Sequence, residues 1–121
     1  MRFLLSFLLT SVLALAADRR PLLQRAPEKD ADRANPYEGQ AAAARAGYKL
    51  FQKECAACHG PNGQGGRRAP ALASPAIRQA SDGGVFWVLR NGTLKHGMPS
   101  FSHLPEQQRW QIVTYLKTLK Q

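Results

Sequence analysis

Cys55-Ala56-Ala57-Cys58-His59 is the stretch that most narrows what this chain can fold into. Two thiols three positions apart, with a histidine directly after the second, let one helical turn present both sulfurs to the two vinyl groups of a single haem while the imidazole reaches its iron. A bare C-x-x-C has other readings. A structural zinc site needs two more ligands at matched spacing, and these are the only two cysteines in the chain. A thioredoxin-like dithiol belongs beside a βαβ pattern, and none occurs here. A chance C-x-x-C-H in a small helical domain is the remaining alternative, so the rest of the chain has to be read for what a haem requires.

The 121 residues are enough for one domain. Residues 1–17 read as a cleavable signal peptide outside it. Arg2 gives a positive start, Phe3 to Leu15 is apolar apart from Ser6, Thr10 and Ser11, and Ala14-Leu15-Ala16 is a small-x-small site that places cleavage near Ala16 or Ala17. The run falls short of the roughly twenty apolar residues of a membrane span; an uncleaved anchor is the alternative. Export to the periplasm would ordinarily turn paired cysteines into a disulfide. Closing a loop as short as Cys55–Cys58 constrains little of the unfolded chain, however. Thioether attachment uses both sulfurs and agrees with both compartment and cysteine count.

The formal charge of +9 is unevenly placed. Residues 18–39 hold five basic and five acidic side chains and sum to zero. Residues 40–121 carry eleven basic residues against Glu54, Asp82 and Glu106, a net of +8. Such a field could steer the domain onto nucleic acid, anionic lipid or an acidic protein face. The bases stand singly apart from Arg67-Arg68 and lack aromatic interleaving, which excludes nucleic acid as the expected partner. An acidic redox partner and peripheral contact with a phospholipid surface remain, beside a surface that serves only solubility.

Residues 18–39 mix both charges with Pro21, Pro27 and Pro36, offer little apolar material beyond Leu22 and Leu23, and read as a disordered linker. From Gln40 an alanine-rich run through Glu54 predicts a helix leading into Cys55. Gly47 and Phe51 share a face at i, i+4, and a mid-helix glycine marks close approach of another backbone. The glycine-rich segment Gly60 to Gly66 can hold neither helix nor strand and predicts a loop wrapping something closely. It continues through Pro70, where an exposed carbonyl could take the second imidazole N–H of His59 and so fix its tautomer. Ser81 or Asp82 caps a short helix that stops at Asn91-Gly92. Trp87 within it reads first as core, and beside a haem its indole N–H would suit a propionate. Once residues 1–17 are removed, Met98 is the one methionine left, set between Gly97 and Pro99 in a loop. That placement suits an axial ligand better than core filling, with His96 and His103 as rival ligands. A last helix runs from Pro105 to about Leu119, with Trp110, Ile112, Val113, Tyr115, Leu116 and Leu119 on a wide apolar face and Gln107, Arg109, Lys117 and Lys120 mostly off it.

Gly47-x3-Phe51-x3-Cys55-x2-Cys58-His59, the Pro70-x-Leu72 loop, Gly97-Met98-Pro99 and Ile112 to Leu116 together resemble the class I c-type cytochromes over residues 40–121. The resemblance implies an all-α cytochrome c fold, three to four short helices wrapped around one covalently attached haem c. It implies Cys55 and Cys58 as attachment points, Pro70 and Leu72 around the ring, and His59 and Met98 on the iron, to which the indole N–H noted above adds Trp87. The function that follows is one-electron transfer by a monomer with a dehydrogenase or oxidase. A small haem peroxidase, a diatomic-gas sensor and the haem subunit of a larger dehydrogenase complex are the alternatives. A core of about eighty residues is marginal, so the haem-free chain is expected to be largely unfolded.

Overall fold

The computed structural model describes residues 18–120; the expected signal peptide lies outside the described residues. The chain forms helices α1 (Glu28–Ala31), α2 (Ala41–Glu54), α3 (Ala56–His59), α4 (Pro75–Gln79), α5 (Asp82–Asn91) and α6 (Glu106–Leu116), with 3-10 turns at Leu22–Gln24 and Leu94–His96. Among the described residues the one piece of β pairing is an isolated bridge between Thr93 and Met98. The fold is all-α as expected. Three helices of ten or more residues carry it, and the other three are single turns that the expected three to four did not include.

α2 and α6 form the main contact of the molecule, and the glycine explains why they can. A Cβ on Gly47 would overlap the Gln111 carbonyl and Tyr115 Cβ. With hydrogen there instead, the two backbones meet. Ala43, Gly47 and Phe51 form the buried stripe of α2 at helical spacing. Tyr115 continues the packing, its ring 5.3 Å from Phe51 and 5.6 Å from Tyr48. Phe51, Ile112 and Val113 are fully buried, and with Phe86 and Trp110, stacked at 4.0 Å, they make the centre of the core.

Side-chain caps place α5 and α4. Ser81 Oγ accepts from Gly84 N at 3.0 Å to start α5, and Ser74 does the same for α4 with Pro75 at its first position. Lys117 ties α4 down from α6: its Nζ donates to the Ile77 carbonyl at 2.8 Å and to the Ala80 carbonyl, and lies 3.5 Å from Asp82. Lys117 is therefore engaged rather than solvated. Arg109, also expected off the apolar face, is only 8% exposed, with its guanidinium 4.8 Å from the Phe86 ring centroid. Cation–π attraction repays part of its lost hydration, and burial lowers its pKa.

The largest correction concerns residues 18–39, which are ordered against the helices rather than forming a disordered linker. Ala26 and Asn35 are buried, and Leu23 and Tyr37 pack on the core. Asn35 Nδ2 donates to Asp82 Oδ2 and Thr114 Oγ1, both at 2.9 Å, while its Oδ1 accepts from Tyr37 N. Arg33 lies 4.7 Å from the Phe86 centroid and pairs with Glu106. A segment with so few apolar residues is held by directed polar contacts and by sites already shaped on α5 and α6.

Three substitutions test this packing. Gly47→Ala is expected to destabilise the protein by about 1–3 kcal/mol through overpacking at the α2–α6 crossing, a fall in Tm of roughly 4–8 °C per kcal/mol. Gly66→Ala, where a Cβ meets only the Cys58 carbonyl at 3.9 Å, should leave the thermal melt unchanged. Asn35→Ala, which removes the buried partner of Asp82 and Thr114, should lower stability by about 1–3 kcal/mol in urea titration; no change would show that residues 18–39 are not held there.

Candidate functional site

The three longer helices do not close on one another completely. Between them lies a cavity of about 990 Å³, at the upper end of the roughly 300–1,000 Å³ typical of small-molecule and cofactor sites. Phe51, Ile77, Val85, Val88, Leu89, Phe101, Ile112 and Leu116 give it apolar walls. Protein interiors are otherwise packed with few gaps larger than a water. Glu54 is the one carboxylate along its lining.

The C-x-x-C-H stretch forms one side. Cys55 leaves helical geometry at φ −123°, ψ −33°, ending α2 and starting α3. That break lets Cys55, Cys58 and His59 all line the cavity. Both cysteines are free thiols, Cys55 buried and Cys58 exposed. Burial, reinforced by Glu54 and Cys58, pushes the Cys55 thiol up to about 12, so it stays protonated at neutral pH.

His59 is 9% exposed and lies 2.9 Å through Nδ1 from the Pro70 carbonyl. A carbonyl can only accept, so the proton sits on Nδ1 and Nε2 carries the free lone pair suited to a metal. The loop that brings Pro70 round is tied back on itself, with Gly65 N to the His59 carbonyl and Leu72 N to the Gly63 carbonyl, both at 2.7 Å. Gly65 sits at φ 78°, and a Cβ there would run into the Pro70–Ala71 backbone. Pro70 and Leu72 both line the cavity.

Met98 reaches the same cavity from a different segment. Its backbone is held extended by two hydrogen bonds with Thr93, at 2.9 and 3.2 Å, after Gly97 turns the chain at φ 85°. Of the two rival histidines, His96 lines the cavity and His103 does not. Nor does Trp87. Val85, Val88 and Leu89 are the α5 residues turned to the cavity, which leaves Trp87 half-buried on another face of the helix. Among the described residues no group of three His, Cys, Asp or Glu side chains is arranged to hold a metal ion, so the zinc reading finds no second ligand pair.

Among the lining residues that escaped sequence reasoning are Pro21, Leu22, Leu23 and Arg68, with Ser74, Ala76 and Ile77 at α4. The adjacent leucines were the one signal available for the first three, standing alone in a charged, proline-rich stretch.

The residues present suit a covalent haem. An apolar cavity of this volume brings together two free thiols, an imidazole with its outer nitrogen bonded, and a thioether. Comparison with known proteins points the same way. No curated protein matches the sequence. Among solved structures, cytochrome cL of the marine methylotroph Methylophaga aminisulfidivorans superposes with a TM-score of 0.61 at 25% identity, covering 70% of this chain and 58% of its own. The c-type cytochrome XoxG of Methylobacterium extorquens AM1 does so with a TM-score of 0.54 at 28% identity, covering 62% and 48%. Cytochrome cL of Hyphomicrobium denitrificans, at 19% identity and a TM-score of 0.61 over 78% and 64%, shares the fold. The chain thus spans about 58% and 48% of the first two relatives' length. Residues 42–116 match the family described as cytochrome c oxidase, cbb3-type, subunit III. With more than half of its length inside that match and the cavity built as described, the chain belongs to this cytochrome c family.

Proposed function

We propose that the protein is a one-electron carrier that binds a single haem c through Cys55 and Cys58, with His59 and Met98 as axial ligands. The observation that carries the reading is the convergence of these four side chains on one apolar cavity, with His59 Nδ1 held by the Pro70 carbonyl. A haem bound there would supply a reversible ferric–ferrous couple. The chain's own residues prepare the site for it. The Pro70 carbonyl orients His59 and leaves its other nitrogen free to face the iron. The Thr93 bridge holds Met98 in place, so little backbone adjustment accompanies ligation. A soft thioether and apolar walls favour the less charged, reduced state.

The protein's surface suits brief docking. Cys58, Arg67, Arg68 and Lys95 are exposed, and Arg68 lines the cavity. The partner that fits is an exported dehydrogenase or oxidase with an acidic face. Export itself would depend on residues 1–17; no described helix is long and apolar enough to cross a membrane. The family's description favours a second reading with the same chemistry, a haem subunit held permanently in a larger oxidase. A native complex that survives gel filtration would select it over a free shuttle.

Redox titration followed by visible spectra tests haem, ligation and couple together. The exported protein should be coloured, its haem retained through acid denaturation and lost in Cys55→Ser, Cys58→Ser. Oxidised protein should show the far-red charge-transfer band of methionine-bound ferric iron, and Met98→Ala should abolish it and lower the midpoint potential. Persistence of the band in Met98→Ala would exclude the thioether ligand. Electron exchange with an acidic partner should slow as salt is raised from about 0.01 to 0.15 M, where the Debye length shrinks from roughly 30 to 8 Å. A rate independent of salt would remove the docking proposal.

A further inference from the structure

The segment before α2 does more than lean on the helices. Pro21, Leu22 and Leu23 form part of the wall of the cavity that holds Cys55, His59 and Met98. Leu23 also packs against the hydrophobic core. No C-x-x-C-H, loop or methionine feature predicts this wall.

The helix opposite is cut to receive it. A Cβ on Gly84 would come within 2.8 Å of the Leu23 carbonyl, and one on Gly83 would overlap the Asp30 and Ala31 carbonyls. Two consecutive glycines in the first turn of a helix weaken it by roughly 1 kcal/mol each against alanine. Here they are what allows the segment's backbone to lie flat on α5. Beyond the glycines, Arg90 pairs with Asp30 at 3.3 Å, and Arg33 lies over Phe86 and Trp110. The segment is thus anchored at Leu23 and again over residues 30–33.

We propose that residues 21–33 are a strap that belongs to the haem site, with Leu22 and Leu23 closing the cavity wall beside α5 against water. The proposal rests on the haem reading above. A dry apolar wall penalises the extra charge of ferric iron, so the strap raises the potential beyond what the two axial ligands set. Water admitted at that wall would solvate the oxidised form and favour it.

The test uses the exported, haem-bearing protein and two variants that open the wall from opposite sides. Leu22→Ser with Leu23→Ser makes the wall polar, and Gly83→Val pushes the strap off α5. Ala34→Ser, exposed on the same segment, is the comparison. At a fixed ambient potential the ferrous-to-ferric ratio should fall about three- to tenfold in both wall variants, tenfold being 59 mV for one electron, and stay constant in Ala34→Ser. Hydrogen exchange should find the Gln24 and Arg25 amides, bonded to the Pro21 and Leu22 carbonyls, protected in the unaltered protein and released in Gly83→Val. A lowered Tm with an unchanged ratio would mean that the strap only stabilises the fold, and would overturn the proposal. So would unprotected amides in the unaltered protein. A colourless unaltered protein would overturn the haem reading itself, whereas a coloured protein with no shift in the wall variants overturns this inference alone.

Discussion

A single hydrogen bond from His59 Nδ1 to the Pro70 carbonyl joins the two segments on which the site depends. It fixes the imidazole's tautomer, and it fixes the loop's course, since Pro70 can present its carbonyl there only if Gly60 to Gly66 double back beneath α3. The loop is therefore shaped by one acceptor position. Its bonds from Gly65 to His59 and from Leu72 to Gly63 show how little freedom is left once that position is set. The cavity's remaining sides follow from helices whose approach distance is governed by Gly47.

Much of this was written locally and could be read locally. α2 and α6 carried periodicity strong enough to place them, α5 had a serine cap as well, and Gly47 announced a backbone crossing before the partner was known. The Pro70 carbonyl and the Gly97-Met98-Pro99 turn were legible because proline fixes φ and glycine admits the positive φ that a turn needs. Geometry then brought Met98 to the cavity together with Cys55, Cys58 and His59.

The misreadings of residues 18–39 and of Arg109 share a cause: each turned on a contact between distant parts of the chain. Residues 18–39 have the composition of a solvated linker, and their packing depends on Gly83, Gly84, Asp82 and Thr114, none of which is near in sequence. Trp87 was placed by its chemistry, whereas the register of α5 turned Val85, Val88 and Leu89 to the cavity instead. Arg109 looked like a surface charge until Phe86 came to lie beneath it. α4 is one turn long and went unread, although Ser74-Pro75 is a helix start by the usual capping rules.

The meeting of α2 with α6 also has a consequence in time. The C-x-x-C-H turn at residues 55–59 is made well before α6, Glu106–Leu116, which completes its surroundings. Contacts between residues so far apart are slow to form because loop closure must come first. A nascent chain therefore displays Cys55 and Cys58 before α5 and α6 can close around them.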